Sequence, residues 1–229
     1  MLLQLDRLSW GRSLHEYERM FSLTPSDLDL KILDCAGGTA SFNAEMTGQG
    51  KNVTSCDPVY QLTAEQINAG LLNFDTFIKN FEENFGSYRW KKFFTSPSQL
   101  AEVRRNATQE FLEDFPSGLQ EGRYVNASLP DLHSFENGQF DLALCSHFLF
   151  TDPHLSEEDH LKAITEMCRV AKEVRVFPLL DRYGGRSEHL NPIRTKLRNR
   201  SFHVETPPVD YEFQIGGNEM LRVSQESSA

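Results

Sequence analysis

Apolar residues along this chain fall into two patterns: short unbroken runs, and longer stretches spaced by three and four. Lys31–Cys35 is a short apolar run that reads as a buried strand, and Asn52–Cys56, Tyr124–Ala127, Phe140–Cys145 and Val174–Phe177 read as further strands. Helical spacing falls between and around them. Leu14, Tyr17 and Phe21 predict a helix over 12–22, and Thr24-Pro25 opens a short helical turn. Ser41 to Thr47 predicts a helix that Gly48 to Gly50 ends. Ser156 caps another carrying Leu161, Ile164, Met167 and Cys168, and Leu190, Ile193 and Leu197 mark a further one. Phe202 to Val223 is strand-like, with Tyr211, Phe213 and Ile215 alternating, and Ser224 to Ala229 reads as a polar frayed end. Alternating strand and helix predicts an α/β fold, a parallel sheet with helices on both faces. The closing strands, joined without a helical pattern, predict an antiparallel edge.

The alternation is interrupted from Tyr60 to Glu121. Thr63 and Gln66 have capping-box spacing. Beyond them Ile67, Leu71, Phe74, Ile78, Phe81 and Phe85 recur at alternating spacings of four and three, which predicts one amphipathic helix. A second helix is predicted from Ser98 to about Phe115, ended by Pro116 and Gly118. Sustained periodicity argues against disorder. Residues 60–121 therefore read as a helical lid that helps wall a substrate pocket, with a structural elaboration or dimer surface as the alternative. Residues 1–30 read as an N-terminal helical cap, and 1–229 as a single domain.

Charge narrows the function classes. Lys and Arg number 23 and Asp and Glu 33, a formal charge of −10. That argues against a general phosphate-backbone binder, which needs a basic face. No apolar run approaches ~18 residues, so no membrane span is expected. Met1 to Trp10 lacks the basic and apolar regions of a secretion signal. Cys35, Cys56, Cys145 and Cys168 form no C-x-x-C pair and read as buried reduced thiols of a cytoplasmic protein.

The stretch Ile32 to Ala40 (ILDCAGGTA) carries the candidate chemistry. Small residues between a strand and a helix let backbone approach a ligand closely. The next strand ends at Asp57, about 20 residues further on, where an acid can accept hydrogen bonds from a ribose diol. A nucleoside-containing cofactor fits both features.

Here the chain resembles the class I S-adenosylmethionine-dependent methyltransferases. Their first motif alternates an acid with small residues, and Asp34, Ala36, Gly38 and Ala40 stand in that pattern, with alanine at two positions where glycine is usual. Ala127-Ser128-Leu129 resembles the adenine-binding turn, and Gly138-Gln139-Phe140-Asp141 the entry to the fourth strand. The likeness spans about residues 31–223. It implies a doubly wound, mostly parallel seven-stranded sheet with an antiparallel C-terminal edge, and S-adenosylmethionine as cofactor. It also implies that Asp34, Ala36, Gly37 and Gly38 carry the methionine part, and that Asp57 with Pro58 holds the ribose. Ser128 and Leu129 would flank the adenine, Ser146 would follow the fourth strand, and Tyr17 or Arg12 would meet the methionine carboxylate. Tyr60 would cover the adenine face.

His147, just past the fourth strand, is the candidate base; its ordinary pKa of ~6.5 suits proton abstraction near neutrality. The alternative is a histidine that only packs beside the cofactor. Asp152, His154, Glu157, Glu158, Asp159 and His160 read as N-capping acids of a helix rather than metal ligands, and no metal is expected. The basic residues from Arg182 to Arg200 read as a solvated face. Neither N-P-P-Y nor Pro-Cys, motifs of nucleic-acid methylation, is present. The expected partner is therefore a small-molecule methyl acceptor rather than nucleic acid or membrane. A nicotinamide oxidoreductase is a rival, although Ala36-x-Gly38-x-x-Ser41 fits G-x-G-x-x-G poorly. A non-catalytic S-adenosylmethionine-binding regulator is another. Acceptor, target atom and oligomeric state stay open.

Overall fold

Five short runs lie side by side in parallel: β3 (Tyr124–Val125), β2 (Asn52–Cys56), β1 (Lys31–Cys35), β4 (Phe140–Ser146) and β5 (Ala171–Phe177). A computed structural model describes residues 8, 10–71 and 73–225 of the chain. The expectations about a leader before Trp10 and a frayed end past Gln225 fall largely outside these residues. Among the described residues the sheet has seven strands in the order β3-β2-β1-β4-β5-β7-β6. β7 (Leu221–Gln225) runs antiparallel to both β5 and the edge strand β6 (Phe202–Glu205). This is the doubly wound sheet with an antiparallel C-terminal edge that the class I methyltransferase resemblance implies.

Alternate residues of the central strands enter opposite layers. Leu33, Ala143, Cys145, Val174 and Val176 pack under α6 (Glu157–Val170) and α7 (Leu190–Arg198). Ile32, Leu142 and Leu144 face the other layer, with Tyr17, Met20, Phe42 and Met46 from α1 (Leu14–Met20) and α2 (Phe42–Gly48). Burial on both sides explains why these strands read as continuous apolar runs. α6 starts on a reciprocal cap between Ser156 and Asp159, so the acids there serve the helix end. The four cysteines are buried and free.

Three expectations need correction. The long amphipathic helix is two, α3 (Ala64–Ala69) and α4 (Phe74–Glu83), followed by a 3-10 turn at Phe85–Ser87. α3 keeps the Thr63–Gln66 capping box and stops at Gly70. Asn73 restarts the helix by accepting from Asp75 N–H and Thr76 N–H. The spacing survives the break, but Ile67 enters a small core with Phe111 and Phe115, whereas Phe74, Phe77 and Phe81 join the α1–α2 layer. Next, α5 runs from Pro97 to Gln120, straight through Pro116. Phe111 and Phe115 on its inner face pack tilted against Tyr60 and edge-on against Tyr124, and that packing outweighs the hydrogen bond Pro116 cannot make. Finally, residues 206–219 form no strand of the sheet. Pro207 and Pro208 follow β6, and Tyr211 and Phe213 turn inward as a buried loop. That loop pairs with the insert: Arg89 N–H donates to Phe213 O and Ile215 N–H to Ser87 O, at 2.7 and 3.0 Å.

Candidate functional site

β1, β2 and β4 end together, and the loops leaving them line a cavity of about 250 Å³. Open α/β sheets bind ligands at such strand ends. The floor is the loop from Ala36 to Ala40. Ala36 and Gly38 take positive φ (56° and 54°), and a Cβ on Gly38 would stand in open space. Gly37 is constrained differently: a Cβ there would lie 2.4 Å from Asp34 Oδ2 and 2.7 Å from the Tyr60 hydroxyl.

Asp57 also lines the cavity. Its Oδ2 accepts from Gly38 N–H at 3.0 Å and its Oδ1 from Val59 N–H at 2.8 Å. One carboxylate thus ties the β1 loop to the β2 end. Two backbone donors leave roughly half its lone-pair sites for a ligand's hydroxyls. Burial pushes its pKa up to about 6, against those two bonds.

Asp34 does not line the cavity. It is 1% exposed beneath the loop, accepting from the Tyr17 hydroxyl and the Ser55 hydroxyl, each at 3.1 Å. Burial raises its pKa to about 7 in spite of both bonds, and Asp57 adds to the rise. Tyr17 reaches the cavity wall from α1, stacked on Phe42.

At the β4 end Ser146 and His147 complete the rim. His147 sits at φ 51°, with its N–H donated to Phe177 O at 2.7 Å and its Nδ1 2.9 Å from Ser146 Oγ. Burial, then Arg12 and Arg104, holds its pKa well below the usual histidine range, so the ring is neutral near pH 7.

Other expected residues lie elsewhere. Pro58 opens a 3-10 turn after Asp57 and does not line the cavity. Ser128 is exposed in a turn with Asp131, and Leu129 packs half-buried against the main core; neither lines it. Tyr60 is buried under the loop among Phe111, Phe115 and Tyr124 rather than over the cavity. Of the basic C-terminal residues, Arg186 and Lys196 pair with Glu219 and Glu157 on the surface.

Sequence reasoning missed the strap over the loop. Trp10 and Gly11 line the cavity, and a Cβ on Gly11 would lie 1.8 Å from Thr39 O. α5 of the insert holds this strap: Thr108 Oγ1 accepts from Gly11 N–H at 2.8 Å, and Arg104 donates to Gly11 O and pairs with buried Glu16. No single-residue pattern signals such a contact between positions almost a hundred residues apart. A second cavity of about 150 Å³ shares Trp10, Arg12 and His147 with the first. The insert gives it Phe77, Phe81 and Tyr88, and the tail loop Tyr211 and Phe213.

No protein-family model matches the chain. It is 33% identical over 219 residues to an uncharacterized protein of Methanocaldococcus jannaschii, covering 94% of this chain and 95% of that one. The chain belongs to that protein's family. The chain itself is similar in fold to several solved methyltransferases. Magnesium protoporphyrin IX methyltransferase of Synechocystis, with S-adenosylmethionine bound, is 14% identical over 88% of this chain and 73% of its own, at a TM-score of 0.44. A possible histamine N-methyltransferase of Thermotoga maritima is 13% identical over 93% and 88%, also at 0.44. An O-methyltransferase family protein of Burkholderia thailandensis is 12% identical over 91% and 55%, at 0.49. Among the described residues no helix is long and apolar enough to cross a membrane.

Proposed function

We propose that the chain is an S-adenosylmethionine-dependent methyltransferase acting on a small molecule, with the larger cavity as its cofactor site. The observation that carries this reading is the joining of Asp57 to the glycine loop at one cavity wall, with His147 at the same rim. The donor set suits the cofactor. Asp57 would hold the ribose hydroxyls, the Ala36–Gly38 backbone would run beneath the methionine part, and Tyr17 would flank its amino-acid end, with Arg12 left to the neighbouring cavity. Val59 offers an apolar wall toward the adenine, with Ser128 and Leu129 beyond the cavity's edge. Asp34 positions rather than binds, since it lies beneath the loop and anchors Tyr17. The cofactor, when bound, supplies a methyl group on a positively charged sulfur.

The protein's part is then to orient the acceptor and take its proton. In the tautomer that donates Nδ1–H to Ser146 Oγ, His147 keeps a free lone pair on Nε2 and would act as base. Its neutral ring needs no prior deprotonation at pH 7. The insert would close the acceptor side as a lid. The direct test is transfer of a labelled methyl group to a panel of small hydroxy and amino acceptors. Transfer that falls at least about a hundredfold in Asp57→Ala, whose fold is verified by circular dichroism, is the expected result. Absence of transfer to the whole panel, with no cofactor bound, would overturn the reading.

A further inference from the structure

The second cavity combines an aromatic wall with an unmatched positive charge. Phe81 and Tyr88 from the insert meet Phe213 from the tail loop, at ring separations of 5.9 and 4.8 Å, and Phe177 from β5 meets Tyr211 edge-on at 5.7 Å. Aromatic walls favour a planar ring that stacks or meets them edge-on. A cavity near 150 Å³ is of the size known to admit benzene.

Two guanidinium groups border this space. Arg104 is matched: it pairs with Glu16, whose other oxygen accepts from the Tyr211 hydroxyl at 2.8 Å. Arg12 is not. No carboxylate lies within ion-pair distance of it among the described residues, and its buried Nε has no hydrogen-bond partner. Burial and Arg104 lower its pKa to about 10, so it stays charged at pH 7. A guanidinium half-buried at a cavity border, with its Nε shut from water and unpaired, is costly, and a carboxylate ligand would supply the planar two-oxygen partner that its geometry matches. The same charges disfavour an amine.

We propose that this cavity is the acceptor subsite and takes a single aromatic ring bearing a carboxylate, with the carboxylate on Arg12 and the ring against the wall that Phe81, Tyr88 and Phe213 form. The inference rests on reading the larger cavity as the cofactor site, because His147 and Arg12 lie on the border of both.

Calorimetry on the full chain tests it with benzoate, benzyl alcohol and benzylamine, each with and without S-adenosylhomocysteine. Benzoate is expected to bind, and benzylamine to bind at least about tenfold more weakly. Arg12→Gln is expected to weaken benzoate about tenfold or more and change benzyl alcohol less than about twofold. Phe81→Ala is expected to weaken benzoate and benzyl alcohol alike and leave S-adenosylhomocysteine unchanged. It also carries the test should Arg12→Gln fail to fold. Equal binding of benzoate and benzylamine overturns the proposal. So does a loss of S-adenosylhomocysteine affinity in Arg12→Gln with benzoate unaffected, which would assign Arg12 to the cofactor alone. S-adenosylhomocysteine bound by the unsubstituted chain without bound benzoate sinks this inference only, whereas no S-adenosylhomocysteine binding by the unsubstituted chain sinks the cofactor reading itself.

Discussion

Asp34 and Asp57 end neighbouring parallel strands, yet their surroundings give them different work. Asp57 borders the cavity and ties two loops together, while Asp34 is sealed beneath them. Sealing has a consequence for stability. An unfolded aspartate gives up its proton near 3.9, whereas the folded Asp34 holds it to about 7. Between those values the folded chain binds more protons, so this group makes stability fall as pH rises from about 4 to about 7 and level off beyond. Asp34→Asn, measured by denaturant melts across that range, is expected to gain stability relative to the parent as pH rises. Parallel curves would show that the carboxyl is not held protonated.

Two glycines offer a second contrast at this scale. Gly37→Ala forces a methyl group against Asp34 and Tyr60 and is expected to cost roughly 1–3 kcal/mol. Gly48→Ala, at the end of α2 with open space around its Cβ, is expected to be neutral or to gain up to about 1 kcal/mol. Chemical melts of the pair check the difference.

At the scale of elements, the insert both supports and encloses. α5 holds the Gly11 strap through Thr108 and Arg104, and α4 with the turn after it supplies the aromatic wall of the second cavity. Pro116 interrupts the hydrogen-bond ladder of α5 at an exposed position. Pro116→Ala is therefore expected to stabilise the chain by about 1–3 kcal/mol, read as a rise in melting temperature. A lower melting temperature would mean that the proline ring itself is needed.

β1 and β2 were legible to the residue, β1 as a buried run stopped by Gly37-Gly38 and β2 as a short stretch around Val53 closed by Asp57-Pro58. The break at Gly70–Asn73 was not. Periodicity reports which side of an element is buried and is blind to whether one helix or two carry it. Tyr211 and Phe213 show the same limit: their alternation reflects burial beside a cavity, not pairing in the sheet. The loop, Asp57 and His147 were readable because their spacing is local to strand ends. The second cavity was not, since its wall joins segments from the insert, β5 and the tail loop, brought together only by the fold.

The whole molecule carries a formal charge of −10, but Arg12 and Arg104 against Glu16 leave a net positive centre where its two cavities meet. An acidic exterior around a locally basic interior suits a small anionic ligand better than a polyanion, which would have to neutralise the exterior as well. The seven-stranded sheet brings this centre to the strand ends, and the insert and tail loop zip together over it.

The central claim is that the larger cavity binds S-adenosylmethionine through Asp57. Calorimetric titration of the full chain with S-adenosylhomocysteine tests it most directly, with NADH as the competing ligand and Asp57→Asn as the variant. The account requires saturable one-to-one binding of S-adenosylhomocysteine, no binding of NADH, and at least a tenfold loss in Asp57→Asn. Binding of NADH in its place, or S-adenosylhomocysteine affinity unchanged in Asp57→Asn, would contradict it.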